Sequence, residues 1–330
     1  MSLAQAELTS VDPLRVVPGG RLWLRGSGMP IPAAPREECA IGGVAAAVIF
    51  ASSDRIALEV PNGLEGGATE IKAPWLPGAT PFVQVGTQLA TGIHQVDNPA
   101  IDPEGRVYVT YSGTRGQQSP VSVFRVASGG PREPFLTGIV NATSLAFGPD
   151  GNLYVSSRFD GTVYRVFDDG HHEVVASDLG LACGLAFAPD GTMFVGDRSG
   201  TIFHIDPKGR TETLTTLPAS VAAFHLAMGP DDALYVTGPT LASYDRVYRV
   251  DLAGNSEALD VTFGRPQGLA FDSQGVLHVV EALAGVSGVY RLPQSGPKTM
   301  AVSGARLVGV AFGADDTMIV ASADTVWSFQ

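Results

Sequence analysis

Three carboxylates (Asp97, Asp197, Glu281), one histidine (His225) and two arginines (Arg158, Arg198) stand at matching places around a phrase that the chain repeats six times. The phrase is an apolar triplet, a turn and a second apolar triplet. Twelve and eleven residues ahead of the valine that closes each copy stand Asp97 and Asn98, Thr143 and Ser144, Cys183 and Gly184, Phe224 and His225, Gln267 and Gly268, then Val308 and Gly309. Two residues beyond the closing valine stand Tyr111, Ser157, Asp197, Gly238, Glu281 and Ser322, with Arg158 and Arg198 just outside. Side chains of these types can hydrogen-bond a small molecule, ligate a cation or move a proton. They make a polar pocket without a recognisable catalytic set. Each also has a plain structural role: Asp97 before Asn98-Pro99 caps a turn, His225 beside Phe224 is a satisfied core histidine, and Cys183 is a small buried hydrophobe. His171-His172-Glu173 has the look of metal spacing, yet neighbours on a strand point to opposite faces and no partner pair follows. No nucleophile elbow, zinc-helix signature, phosphate loop or dinucleotide fingerprint is present.

What positions these residues is the repeat itself. Copies run Ala100 to Val109, Leu145 to Val155, Leu185 to Val195, Leu226 to Val236, Leu269 to Val279 and Val310 to Val320; their closing valines are 46, 40, 41, 43 and 41 residues apart. A period of about 40 to 45 with strand-turn-strand content marks propeller blades, one four-stranded sheet per repeat. The Asp-Gly at 150–151 and 190–191 is a hairpin turn, because glycine accepts positive φ; Asp150 and Asp190, with Asp231 and Asp315 at the same place in their copies, are turn formers. A hairpin brings the start of its first strand and the end of its second to one end. The candidate residues therefore converge at the channel mouth, where loops from every blade meet. A third and a fourth strand follow each phrase, as in Thr162 to Val166 and His172 to Ala176. The last repeat stops at its third, Thr325 to Phe329. Phe82 to Ala90 is the expected missing partner, closing a six-bladed ring and removing a free sheet edge. Residues 8 to about 81 lack the repeat and show short strands between Gly and Pro turns, which predicts a small β-sandwich. The expected fold is all-β, with domains at 1–81 and 82–330 joined by a short, stiff stretch from Pro74 to Pro81.

The bulk numbers narrow the function classes. The chain has 330 residues, 45% apolar and 16% charged, and is long enough for a buried core. Its formal charge of −12 with three lysines argues against nucleic-acid binding. The longest apolar stretch, Ala40 to Ala51, is broken by Gly42 and Gly43 and is too short to span a bilayer. The start has no basic and apolar leader, so the chain reads as cytoplasmic as written and exported if a leader was removed. Two cysteines, Cys39 and Cys183, offer no disulfide framework.

Two resemblances add to this reading. The run Val17-Pro18-Gly19-Gly20, Leu22 to Gly28 with its Gly-Ser-Gly, Ile41-Gly42-Gly43 and Val60-Pro61 resembles the IPT/TIG immunoglobulin-like domains, which implies a spacer or a surface for protein contact. Residues 82 to 330 resemble the NHL and gluconolactonase-like six-bladed propellers, closest at Cys183 to Gly191 and Pro266 to Asp272. The gluconolactonase branch implies a divalent cation, calcium, zinc or magnesium, held above the channel by an acidic residue and Asn or Asp side chains. Asp97 falls on the acidic position. Thr143, Cys183 and Phe224 stand where other ligands are expected, and Asn141 lies two residues from one of them. The candidate ligand-binding set at the mouth is thus Asp97, Asn98, Tyr111, Asn141, Arg158, Asp197, His225, Gln267 and Glu281, with Asp97 the candidate metal ligand. The leading expectation is a non-catalytic protein binding a small molecule or protein at this mouth. A metal-dependent sugar-lactone hydrolase and a structural scaffold remain as alternatives.

Overall fold

A computed structural model describes residues 6–29, 39–73, 75–76, 80–127 and 130–330, and every regular element in them is a β-strand. No helix among the described residues is long and apolar enough to cross a membrane. Half of the joint expected from Pro74 to Pro81, residues 74 and 77–79, lies outside the described residues.

Residues 100–303 form successive antiparallel runs of four strands, and residues 307–329 add a run of three. In the second run these are Ala142–Phe147, Leu153–Ser157, Thr162–Val166 and His172–Ala176. The third, Ala182–Phe187, Met193–Asp197, Thr201–Ile205 and Thr211–Thr216, repeats the same order. The first strands of consecutive runs lie side by side, beginning with Ala100–Ile101, and the cycle closes where Leu307–Phe312 returns to Ala100–Ile101. The packing needs glycine at the contact. A Cβ on Gly268 would lie 2.1 Å from Asn98 Oδ1 and 2.8 Å from the Val308 carbonyl oxygen, closer than a carbon can sit. Neighbouring runs are stapled by aromatic rings: Tyr108 meets Phe147 at 5.4 Å, Tyr154 meets Phe187 at 4.7 Å and Tyr235 meets Phe271 at 5.0 Å, all edge to face. Each such pair contributes about 0.5–1.5 kcal/mol beyond the area it buries. At the opposite end the Asp-Gly turns behave as their sequence predicts. Asp150 and Asp190 accept the N–H two residues on, at 3.1 and 2.9 Å, and Gly151 and Gly191 take φ of 80° and 90°.

The last run lacks a fourth strand of its own. Thr87–Thr91 supplies it, pairing antiparallel with Thr325–Phe329 from Thr87 opposite Ser328 to Thr91 opposite Thr325. The expected strand from Phe82 to Ala90 is split, however. Phe82–Val85 pairs instead with Gly67–Lys72 and with Arg15–Val16, so the boundary expected at 81/82 falls inside a hairpin of the N-terminal region. Gly86 is the crossover, where a Cβ would meet Phe329, Trp327 and Val17 at 2.9–3.0 Å.

The N-terminal region contributes two sheets. One orders Glu7–Asp12, Arg21–Ser27, Arg55–Glu59 and Val48–Ala51. The other contains Gly67–Lys72 and Phe82–Val85. Leu22, Leu24, Ile56 and Leu58 of the first pack with Ile41, Ile71, Val83 and Val85 of the second in a single core. Alternation of apolar and polar residues along Arg21–Ser27 places Leu22 and Leu24 inward while Arg21 and Arg25 face water. The second sheet does not end with this region. Arg15–Val16 lies parallel to Thr299–Ser303, the outer strand of the fifth run, with Val16 opposite Ser303, and Ser303 Oγ accepts the Arg21 N–H at 2.7 Å. One continuous sheet therefore joins the two parts.

Candidate functional site

The start of each first strand and the end of each second strand share one end of the cycle, and a cavity of about 440 Å³ opens there. All the runs contribute to its lining: His94, Gln95 and Val96 ahead of the first, Arg115 and Arg158 from the first and second, Cys183 and Arg198 from the third, Val221 to Ala223 ahead of the fourth, Gln267 from the fifth and Val308 from the sixth. Arg158 and Gln267 are the members of the sequence-derived set that line it. The other seven stand around or below the cavity, and most are engaged by the protein.

Asp97 and His225 meet beneath it. Asp97 Oδ1 lies 2.6 Å from His225 Nδ1, with side-chain exposures of 2% and 0%, and the same oxygen accepts the Asn98 N–H at 2.7 Å. The two come from the first and fourth runs, so the bond spans the centre of the cycle. His225 Nε2 is buried without a hydrogen-bond partner among the described residues. Asn98 stitches two first strands together, donating to the Leu269 carbonyl at 2.8 Å and accepting from the Val310 N–H at 3.0 Å. Asn141, in the left-handed region at φ 51°, donates to the carbonyls of Ser112 and Thr114 and accepts the Gly116 N–H at 2.7 Å, which fixes the loop carrying Arg115. Asp197 caps the Leu181 N–H at 2.7 Å and receives the Ser199 hydroxyl. Glu281 is buried between the Gly264 N–H at 2.8 Å and Lys298 Nζ at 2.9 Å. Tyr111 packs edge-on against His94 at 6.2 Å, behind the lining.

The residues present do not fit a divalent-cation centre. No three His, Cys, Asp or Glu side chains gather in a metal-holding group among the described residues, and Asp97 Oδ1 is taken up by His225 and Asn98. Cys183 is no ready nucleophile either, since burial pushes its thiol up to about 11. His94, Gln95 and Arg115 were not legible as site residues because they sit on irregular loops outside the repeat. Arg158 and Arg198 share one offset, directly after the second strand, and that offset is the signal that points to them.

A scan against protein-family models finds none that matches, and a search of curated proteins finds no match. Solved structures do resemble the chain. One is a putative gluconolactonase, 18% identical, covering 74% of this chain and 90% of that one at a TM-score of 0.60. A second is an auxiliary nutrient binding protein from Bacteroides thetaiotaomicron, 12% identical, covering 98% and 97% at a TM-score of 0.58. A third is a catalytically inactive histidine-to-alanine variant of virginiamycin B lyase from Staphylococcus aureus with quinupristin, 14% identical, covering 99% and 96% at a TM-score of 0.53. Identities this low define the fold alone, an all-β, propeller-type architecture.

Proposed function

We propose that the chain is an immunoglobulin-like sandwich of the IPT/TIG kind followed by a six-bladed β-propeller, and that it works as a non-catalytic binding protein. The ligand is a small molecule held in the cavity at the channel mouth. One observation carries this reading: the cavity draws its lining from every run, while the three carboxylates of the candidate set, Asp97, Asp197 and Glu281, are bonded to the protein around it and none of them lines it. A volume of about 440 Å³ falls in the range of small-molecule sites. Similarity to a nutrient-binding protein accords with the same role. The sandwich, fused to the fifth blade by a shared sheet, serves as a spacer or second contact surface.

A thermal-shift screen of metabolites tests the proposal. A ligand present at a hundred times its dissociation constant stabilises by about 2.7 kcal/mol, roughly 5–10 °C for a domain of this size. The shift should vanish in Ala222→Trp, which fills the cavity wall. Saturable, metal-dependent hydrolysis of a sugar lactone, lost on Asp97→Ala, would instead establish the hydrolase and overturn the binding role.

A further inference from the structure

The chain carries 33 Asp and Glu against 21 Lys and Arg, yet no carboxylate lines the cavity at the mouth and three guanidinium side chains do. Arg158 and Arg198 are half-buried and Arg115 is exposed. Arg158 differs from Arg198 in its contacts. It makes no hydrogen bond or ion pair among the described residues. Burial, foremost, and the charges of Arg115 and Arg198 hold its pKa below the usual arginine range, though the neighbouring Cys183 opposes this. An arginine keeps its proton in any protein, so this cost is borne as an unbalanced positive charge. His94, also on the wall, is pushed down by burial and then by Arg158, which leaves it a neutral hydrogen-bonding group at neutral pH.

The other two guanidinium groups are placed by the backbone. Arg198 Nη2 donates to the Val221 carbonyl at 2.8 Å and Nε to the Ser220 carbonyl at 3.2 Å, which leaves Nη1 without a protein acceptor. Arg115 rides on the loop that Asn141 clamps at residues 112, 114 and 116. Between them the wall is apolar, with Val96, Leu181, Val221 and Val308. A fixed positive cluster in a low-dielectric cup attracts an anion even on a chain of negative net charge, because the local field dominates within about a Debye length.

Deepening the binding role proposed above, and resting on it, we propose that the cavity takes a small organic anion, its carboxylate, sulfonate or phosphate head held between Arg115, Arg158 and Arg198 and its apolar body against Val96, Leu181, Val221 and Val308. The head restores the charge balance that Arg158 lacks. The fork of a guanidinium matches an oxyanion in two places, which gives the site its preference over neutral molecules of the same shape.

The test uses two dyes of one skeleton on the purified full chain: 8-anilinonaphthalene-1-sulfonate, and N-phenyl-1-naphthylamine, which lacks the sulfonate. The sulfonate dye should bind saturably at one site per chain, at least tenfold tighter than its uncharged counterpart, and weaken as salt is added. Arg158→Gln should cost tenfold or more for the sulfonate alone, as expected for a charged hydrogen bond. Arg115→Gln, at an exposed position, should act in the same direction. Equal affinity for both dyes, or an unchanged Arg158→Gln, would overturn the anion preference while loss of both dyes in Ala222→Trp kept the small-molecule site standing. Dye binding indifferent to Ala222→Trp, or no saturable binding of either dye, overturns both.

Discussion

Replacing Asp97 with alanine should destabilise the protein through a bond that no local feature of the sequence announces. Two groups lose a partner at once: the Asn98 N–H, now 2.7 Å from Asp97 Oδ1, and His225 Nδ1, now 2.6 Å from the same oxygen. His225 is fully buried and its Nε2 is already without a partner, so the imidazole would be left with none. A buried polar group stranded in this way costs about 1–3 kcal/mol, and two of them reach about 3 kcal/mol, close to what is lost on breaking a buried ion pair. For a domain of this size each kcal/mol moves the melting temperature by about 2–4 °C, so the midpoint should fall by about 6–12 °C. Asp97→Asn keeps an acceptor oxygen in place and should lose about half as much. Thermal melts of Asp97→Ala, His225→Ala and the double variant, followed by circular dichroism, complete a cycle. A coupling energy of about 2 kcal/mol is the expected outcome. A midpoint for Asp97→Ala within 2 °C of the parent, or strictly additive single losses, would refute the idea that this contact holds opposite sides of the cycle together.

Deleting the strand Thr325–Phe329 should abolish monomeric folding, because it exposes both Met318–Ser322 and Thr87–Thr91 as unpaired edges; size-exclusion chromatography would show aggregate in place of a single peak. Gly268→Ala should cost about 1–3 kcal/mol in chemical denaturation, since the new methyl meets the Val308 carbonyl and the Asn98 amide, and a substitution at open Gly105 should not share that contact penalty. Stability should also fall at high pH on account of Cys183. Its thiol ionises near 9.0 when unfolded and near 11 when buried, so the folded protein keeps a proton that the unfolded chain releases. This contribution is whole below about pH 9 and shrinks as pH climbs toward 11, by about 3 kcal/mol in all. Denaturation across that range, compared with Cys183→Ala, should show a shallower slope in the variant.

The repeat was legible because its signals are local. A turn rich in Asp and Gly with a short apolar triplet on either side specifies a hairpin without reference to anything distant, and repetition made the period plain. Closure by Thr87–Thr91 was legible for the same reason, as a missing strand in an otherwise regular count. The split at Gly86 was not, because Phe82–Val85 and Thr87–Thr91 read as one continuous strand, and only the approach of Phe329, Trp327 and Val17 forces the chain to change sheets there. Hairpin geometry brought Asp97 and His225 to the same end without revealing that they touch. They are 128 residues apart, and only the number of runs and the width of the channel decide whether the side chains reach. His94 and Arg115 escaped notice because irregular loops carry no periodicity from which to place a side chain.

The parallel run of Arg15–Val16 alongside Thr299–Ser303 gives the N-terminal region a fixed bearing. A unit hung on a flexible peptide wanders through a broad range of angles, whereas one grafted by backbone hydrogen bonds and the Ser303 hydroxyl behaves as a lever arm. Whatever docks on that arm is held at one distance and one attitude from the arginine-lined cup. A pair of spin labels, one on each part, should accordingly report a single narrow separation rather than a smear.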